Sequence, residues 1–311
     1  MRKHGKDTAF RNRRGSGVAL GIFNAIVSNN VRKASVGTVL LLVVVLAALL
    51  LRRWKATRAE TAESSWSLAG GTRSLSPQLA RLPEIAVPRI GILVAVVAAA
   101  GVFPLVASPS RTHTVAGYLI LAIVVVSLVM LSGWAGTISL GQFAVVGVGA
   151  IVAGNAVVKW NLDLFLAMAL AGAAGAAISV VIGLPALRVR PLFLAVTTAI
   201  FAATVDQYFL NPSNYPDLVP GVINRPVLWK RIPLESERAM YYLVLGTLLL
   251  SMVVARTLRN GRPGRILLAV RDNGNAASAV AVPPTSTRVR GMALAGVFAG
   301  LAGALFAPFN R

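Results

Sequence analysis

The chain has 311 residues, of which 56% are hydrophobic and 13% are charged, and its formal net charge is +21. The apolar residues occur in long runs, which excludes an ordinary soluble domain, where they would be dispersed over amphipathic elements. The basic residues lie in the connectors beside these runs, where Lys and Arg set membrane topology, so we expect no nucleic-acid binding. This pattern predicts an all-α, polytopic helical membrane protein.

Several classes of chemistry are excluded at the same stage. The sequence contains no cysteine, which removes disulfides, thiolate catalysis and cysteine-based metal sites. It also contains no phosphate-binding loop, no HExxH and no plausible Ser/His/Asp set. We therefore expect no catalytic residues, no metal and no cofactor. If ATP powers this protein, the ATPase is another chain.

The first part of the chain is a basic N-terminus with two apolar runs and a polar stretch. Gly17–Val27 is apolar but short, whereas Ala34–Leu51 reaches the roughly 18 residues that cross a bilayer. Lys55–Arg89 is rich in Ser, Thr, Arg, Glu and Pro and buries too little apolar surface to order itself. These features predict a membrane region (1–53), a linker (54–89) and a membrane domain (90–311).

Seven further membrane-length runs follow the linker. They are Ile90–Ala107, Thr114–Leu131, Ile138–Val158, Leu164–Leu187, Pro191–Leu210, Met240–Ala255 and Gly291–Ala307. We therefore expect eight transmembrane helices, or nine if Gly17–Asn30 also crosses. The proline-rich loop from Asn211 to Arg238 is expected to lack a long helix.

The connector from Arg259 to Arg290 separates the last two runs. It is polar and rich in arginine, so we expect it on the cytoplasmic side together with the linker. Within it, Ile266–Ala281 has few helix-breaking residues, which predicts one short surface helix. A surface helix held between two spans can transmit movement to a partner outside the membrane.

Glycines and hydroxyls interrupt the apolar pattern between Ser132 and Ala150. Irregular backbone at membrane depth is tolerated only where protein or water covers it. We therefore expect Ser139, Gly141 and Gln142 to line a pathway, where free N–H groups can meet a carboxylate. The alternative is that these small residues only allow close helix packing.

Other polar or small residues in the spans have weaker interpretations. Thr197 and Thr198 each either bond back to their own helix or face a substrate. The pair Gly296 and Gly300 forms a GxxxG pattern, which we interpret as a packing face. Glycines 172 and 175 have the same interpretation.

Three ordered blocks resemble permease subunits of branched-chain amino-acid ABC importers. They are GWAGTISLGQFAVVGVGA (133–150), GLPALRVRPLFLAVTTAIF (183–201), and AVRDNGNAASAVAV with LAGVFAGLAGALFA inside 264–307. The resemblance implies a multi-pass protein of the bacterial plasma membrane, surrounded by lipid, that imports branched-chain or related amino acids. It also implies a second permease, two cytoplasmic ATP-binding subunits and an extracytoplasmic substrate-binding protein as partners.

The resemblance assigns roles within the connector too. It implies that the connector forms a coupling helix that docks into the ATPase, and the implied contacts are Arg265, Arg271, Asp272, Asn273, Ala276 and Ala277. This chain departs from the family pattern at three connector positions. The family usually carries acids where this chain has Gly274 and Ser278, and a glycine where it has Ala281.

The ends of the chain also enter the resemblance. Residues 17–53 resemble the closing spans of the partner permease, and family members continue beyond the last span of this chain. The resemblance thus implies a fragment of a fused two-permease polypeptide, or a split reading frame. A secondary transporter of a small polar solute and a non-transporting membrane subunit remain as alternatives. The first would need ionisable residues near the midplane, and these spans have almost none.

Overall fold

The computed structural model describes residues 83–137, 139–186, 191–211, 214, 227–228, 232–233 and 236–309. The predicted N-terminal runs Gly17–Val27 and Ala34–Leu51 and most of the predicted linker lie outside these residues. The count of eight to nine crossings and the division into three regions therefore remain predictions.

Helices account for nearly all of the described chain, which confirms the all-α class. They are α1 (Pro83–Val106), α2 (Pro109–Leu128), α3 (Gln142–Val158), α4 (Leu164–Ala186), α5 (Pro191–Thr204), α6 (Glu237–Asn260), α7 (Arg262–Asp272), α8 (Gly274–Ala279) and α9 (Pro284–Phe306). A π-helical turn, Val129–Trp134, continues α2, and another, Val205–Phe209, continues α5. The residue pairs β1 (Val227–Leu228) and β2 (Ile232–Pro233) form a minimal antiparallel ladder.

The helices confirm a polytopic membrane protein. Four segments of the described chain are long and apolar enough to cross a bilayer, namely Pro109–Trp134, Leu164–Leu184, Glu237–Asn260 and Pro284–Phe306. Two shorter apolar helices are Gly91–Val106 and Gln142–Val158. The remaining predicted run, Pro191–Leu210, falls on α5 and the π-helical turn after it, so each run predicted after the linker falls on a helix.

Several helix boundaries differ from the predicted ones. Helix α1 begins at Pro83, inside the predicted linker, and α9 begins at Pro284 instead of Gly291. Hydropathy detects only the apolar part of a helix and therefore misses a polar first turn. Proline is favoured in that turn, because the backbone N–H that it lacks would have no hydrogen-bond partner within the helix. Helix α3 begins at Gln142 instead of Ile138, because the chain is irregular before that residue.

Helix α9 is the centre of the bundle and packs against α4, α3 and α2. Small residues permit this packing. A Cβ at Gly300 would overlap the carbonyl oxygen of Ala171, and a Cβ at Gly296 would overlap that of Gly175. Packing of backbone on backbone confirms the interpretation of the GxxxG pattern.

The bundle has two distinct ends. At one end His113 of α2 pairs with Glu237 of α6, with 3.0 Å between Nδ1 and Oε2, and its ring stacks on Phe309. The hydroxyl of Tyr241 also donates to the carbonyl of Ala100, 2.7 Å away in α1. The start of α6 therefore lies beside the end of α1, and the connector lies at the opposite end of α6.

The connector is not one helix. The predicted helix Ile266–Ala281 is divided into α7 and α8 at Asn273, whose backbone is extended (φ −151°, ψ 94°). The Oδ1 atom of Asn273 accepts a hydrogen bond of 3.0 Å from the amide of Ala276. Asparagine is a strong helix N-cap because its side chain replaces the missing backbone acceptor, and here it starts a new helix.

Ala281 closes α8 in a left-handed conformation, with φ of 61°. Its amide donates to Ser278 O, and the amide of Val282 donates to Ala277 O. A left-handed conformation costs an L-residue with a Cβ about 1 kcal/mol, which glycine avoids. The turn itself thus explains why glycine would suit position 281.

We therefore expect Ala281→Gly to stabilise the protein by up to about 1 kcal/mol. The measurement is thermal unfolding in detergent, followed by circular dichroism. Ala279→Gly is the matched control, because Ala279 is exposed but helical and should lose stability on the same change. A lower melting temperature for Ala281→Gly than for the wild type would contradict the prediction.

Candidate functional site

A partly open cleft lies between the junction of α2 and α3, helices α4 and α5, and the start of α9. Its polar lining consists of Thr137, Ser139, Gln142, Ser179 and Thr198, and its apolar lining includes Leu131, Val145, Ile182 and Met292. Gly141 also lines it. Four of the five predicted pathway residues are thus brought together in one place, while the side chain of Thr197 lies outside the described part of the chain.

The junction between α2 and α3 has the irregular backbone that the sequence predicts. Gly136 has a φ of 67°, a conformation that favours glycine. The amide and the hydroxyl of Thr137 both donate to Leu131 O at 3.2 Å. The amide of Gly141 donates to the Ser139 hydroxyl at 3.2 Å. Residues 135–137 and 139–141, which we call the cleft segment, are therefore held by local hydrogen bonds and not by a helix.

Thr198 ties α5 to the cleft segment. Its hydroxyl oxygen accepts a 3.1 Å hydrogen bond from the amide of Leu140, and its side chain is buried. A Cβ at Gly141 would lie 2.7 Å from the carbonyl oxygen of Thr198. Glycine at position 141 is thus needed for the two segments to approach each other.

Gln142 has a structural task as well as a place in the cleft wall. Its side-chain nitrogen donates to the Ser127 hydroxyl and, at 3.3 Å, to the carbonyl of Ala295. Ser127 itself donates to the same carbonyl at 2.7 Å. This buried network joins α2, α3 and α9, so the Gln142 amide nitrogen is already used inside the protein.

Ser179 is a cleft residue that sequence reasoning missed. Its hydroxyl is buried in the cleft wall and has no hydrogen-bond partner in the described chain. An unsatisfied buried hydroxyl costs about 1–3 kcal/mol, so such a group is well placed to bond a ligand. The sequence could have pointed to Ser179, because it is the one residue with a polar side chain in α4.

The cleft offers dipoles instead of full charges. No ionisable side chain is found among the described residues that line it. Helix α3, however, begins at Gln142 inside the cleft, and the first N–H groups of a helix have no intrahelical partner. The positive end of the α3 dipole can therefore stabilise a carboxylate there.

The connector residues with implied ATPase contacts do not all lie on its surface. Arg265, Asp272, Asn273 and Ala276 are exposed, whereas Ala277 is buried. Asn273 also caps α8. Arg271 turns inward, and its Nη1 donates to the carbonyl of Gly133. The exposed residues can meet a partner, while Arg271 and Ala277 contact the chain itself.

Comparison with known proteins gives one family. Residues 110–310 match the family described as branched-chain amino acid transport system / permease component. The chain is also similar to the high-affinity branched-chain amino acid transport system permease protein LivM of Salmonella typhimurium strain LT2. The two are 25% identical over 239 residues, which are 69% of this chain and 56% of the relative.

The protein of the same name from Escherichia coli K12 is 25% identical over 264 residues, which are 76% of this chain and 62% of the relative. The chain thus spans less than two thirds of the length of these relatives. No solved structure matches it significantly.

Proposed function

Because this chain belongs to the branched-chain amino acid permease family, we propose that it forms part of the substrate pathway of an ATP-driven amino-acid importer. The membership confirms the resemblance of the three sequence blocks. Together with its apolar helices, it makes the chain a multi-pass protein of the bacterial inner membrane. The cleft between α3, α4 and α5 is the single observation that carries the pathway assignment.

The lining of the cleft, which combines hydroxyls with apolar side chains, suits a small amino acid with an apolar side chain. The substrate carboxylate would face the N-terminus of α3, where the positive end of the helix dipole favours negative charge. Its side chain would contact Leu131, Val145, Ile182 and Met292. The hydroxyls of Ser139, Ser179 and Thr198 line the same space and would bond the polar groups of the substrate. Thr197 remains a proposed pathway residue on sequence grounds alone.

The partners proposed for the chain are a second permease, cytoplasmic ATP-binding subunits and an extracytoplasmic substrate-binding protein. Two features support an ATPase contact at the connector. Its arginines favour the cytoplasmic side, and its exposed residues Arg265, Asp272, Asn273 and Ala276 present polar groups and backbone to a partner. The paired ends of α2 and α6 would then face outward.

Transport by reconstituted proteoliposomes tests the proposal. We expect uptake of labelled leucine to require the ATP-binding subunits and internal ATP, and to persist when ionophores dissipate ion gradients. Unlabelled valine should compete, and arginine should not, because no acidic side chain that could pair with its guanidinium is found among the described residues lining the cleft. Uptake driven by an ion gradient without ATP would support a secondary transporter instead. Complete complexes that show no uptake would support a non-transporting subunit.

A further inference from the structure

Arg271 connects α7 to the end of α2. It lies in the last turn of α7, and 31% of its side chain is exposed. Its Nη1 donates a hydrogen bond to the carbonyl oxygen of Gly133, which belongs to the π-helical turn Val129–Trp134. The guanidinium of Arg271 is therefore engaged within the membrane domain.

Gly136 and Asp272 flank the contact between Arg271 and Gly133 on opposite sides. A Cβ at Gly136 would lie 2.6 Å from Cγ of Arg271, so only glycine leaves room for the arginine stem. On the outer side, Oδ1 of Asp272 lies 2.8 Å from Nε and 2.7 Å from Nη2 of Arg271. These charge-assisted contacts orient the planar guanidinium toward the Gly133 carbonyl.

Helix α7 is also packed firmly beneath this contact. Leu267 is 4% exposed and Val270 is 1% exposed. Leu267 belongs to a buried cluster with Trp134, Ala135 and Met292, at the end of α2 and the start of α9. Close-packed side chains transmit displacement because they leave no space to absorb it.

The cleft segment begins next to the Arg271 contact. It runs from Ala135 through Gly136, which holds the arginine stem, to Gly141 in the cleft wall. At its far end the amide of Leu140 bonds the Thr198 hydroxyl of α5. A series of contacts among described residues thus leads from the connector to the cleft without passing through a long helix.

We propose that Arg271 is a positioning residue that ties movement of the connector to the cleft segment. When the ATPase displaces α7 and α8, Arg271 moves the Gly133 carbonyl and the Gly136 turn, and the cleft wall at Gly141 and Thr198 changes with them. The statement that an ATPase moves the connector rests on the proposed function. The contact between Arg271 and the cleft segment belongs to this chain alone.

Two substitutions separate this role from a contact with the ATPase. Arg271→Met keeps the aliphatic stem and loses every donor, whereas Arg271→Lys keeps the charge and one donor for Gly133. In complexes with the ATP-binding subunits, we expect leucine uptake per ATP hydrolysed to fall about tenfold in Arg271→Met, the size expected for one charge-assisted hydrogen bond. Arg271→Lys should restore most of it, and recovery of the ATPase on purification should equal the wild type in both.

Two results would overturn the assignment. One is an unchanged ratio of uptake to ATP hydrolysis in Arg271→Met. The other is a parallel loss of ATPase recovery, which would place Arg271 in the ATPase interface instead.

A labelling experiment tests the same link without transport. The chain contains no cysteine, so a single Ser139→Cys reports on the cleft segment. In the purified chain we expect Arg271→Met to raise the maleimide labelling rate of this cysteine by about tenfold, because the segment loses its charge-assisted attachment. Ser278→Cys, exposed on α8, is the control and should label equally with and without the substitution.

Equal labelling rates at Ser139→Cys would overturn the link even if ATP-driven uptake were established. A raised rate in a chain whose complex does not transport would support the link and contradict the proposed function.

Discussion

Replacing Gly300 with leucine is expected to prevent the membrane domain from folding. Any Cβ at this position would overlap the carbonyl oxygen of Ala171 and approach the Cα of Gly172 to 3.1 Å. These atoms are backbone atoms of α4, so no side-chain rotation can relieve the clash. The opposite side of α9 is equally close, because a Cβ at Gly149 of α3 would lie 2.6 Å from the Gly300 oxygen.

The cost of Gly300→Leu should reach or exceed the usual upper range for overpacking, about 3 kcal/mol. The measurement is the yield of monodisperse protein in mild detergent, together with its melting temperature. Gly246→Leu on α6 is the matched control, because a Cβ built there meets no atom within 4 Å apart from its chain neighbours and the backbone of its own helix. A monodisperse Gly300→Leu protein that melts at the wild-type temperature would show that α9 and α4 do not pack as described.

Replacing Gly141 with leucine is expected to block transport while the domain still assembles. The new side chain would meet the carbonyl of Thr198 at 2.7 Å from its Cβ, and its remaining carbons would occupy the cleft. We expect uptake to fall to about a tenth of the wild type or less, since an overpacking cost of 1–3 kcal/mol shifts a conformational equilibrium by that order.

The matched control for Gly141→Leu is Phe143→Leu, in the first turn of α3. Phe143 is 58% exposed, so its replacement should leave both uptake and assembly at wild-type levels. Measurement of uptake alongside the yield of folded protein separates two roles of Gly141. Loss of folded protein together with uptake would support the packing alternative, in which Gly141 only allows α5 to approach the cleft segment.

Ser139, Gly141 and Gln142 show how much a local sequence pattern can predict about a cleft and its residues. All three line the cleft, as expected from glycines and hydroxyls in an apolar context. The side-chain amide nitrogen of Gln142 nevertheless donates to the Ser127 hydroxyl and to the Ala295 carbonyl. The proposed pathway role and the packing alternative therefore concern the same side chain, which the composition of the segment could not reveal.

The connector shows a different limit. A stretch with few helix-breaking residues predicts one helix, but Asn273 provides a cap that starts a second one. The choice between continuing a helix and capping it involves about 1 kcal/mol. Leu267 of α7 packs against Trp134 in the π-helical turn after α2, more than a hundred positions away, and no local pattern encodes that contact.

The membrane helices after the linker, the interruption before α3 and the family of the chain all follow from the order of its residues. A membrane helix is recognised when the length of an apolar run matches the thickness of the bilayer, and an interruption is recognised from glycines, which have low helix propensity. Neither inference requires knowledge of which helices pack together. The inward turn of Arg271, the unpaired hydroxyl of Ser179 and the left-handed Ala281 required the folded chain. The first two depend on which helix faces meet, and those contacts join residues distant in sequence whose pairing no local pattern encodes. The turn at Ala281 is closed by local hydrogen bonds to Ser278 and Ala277, and only the backbone conformation shows it to be left-handed.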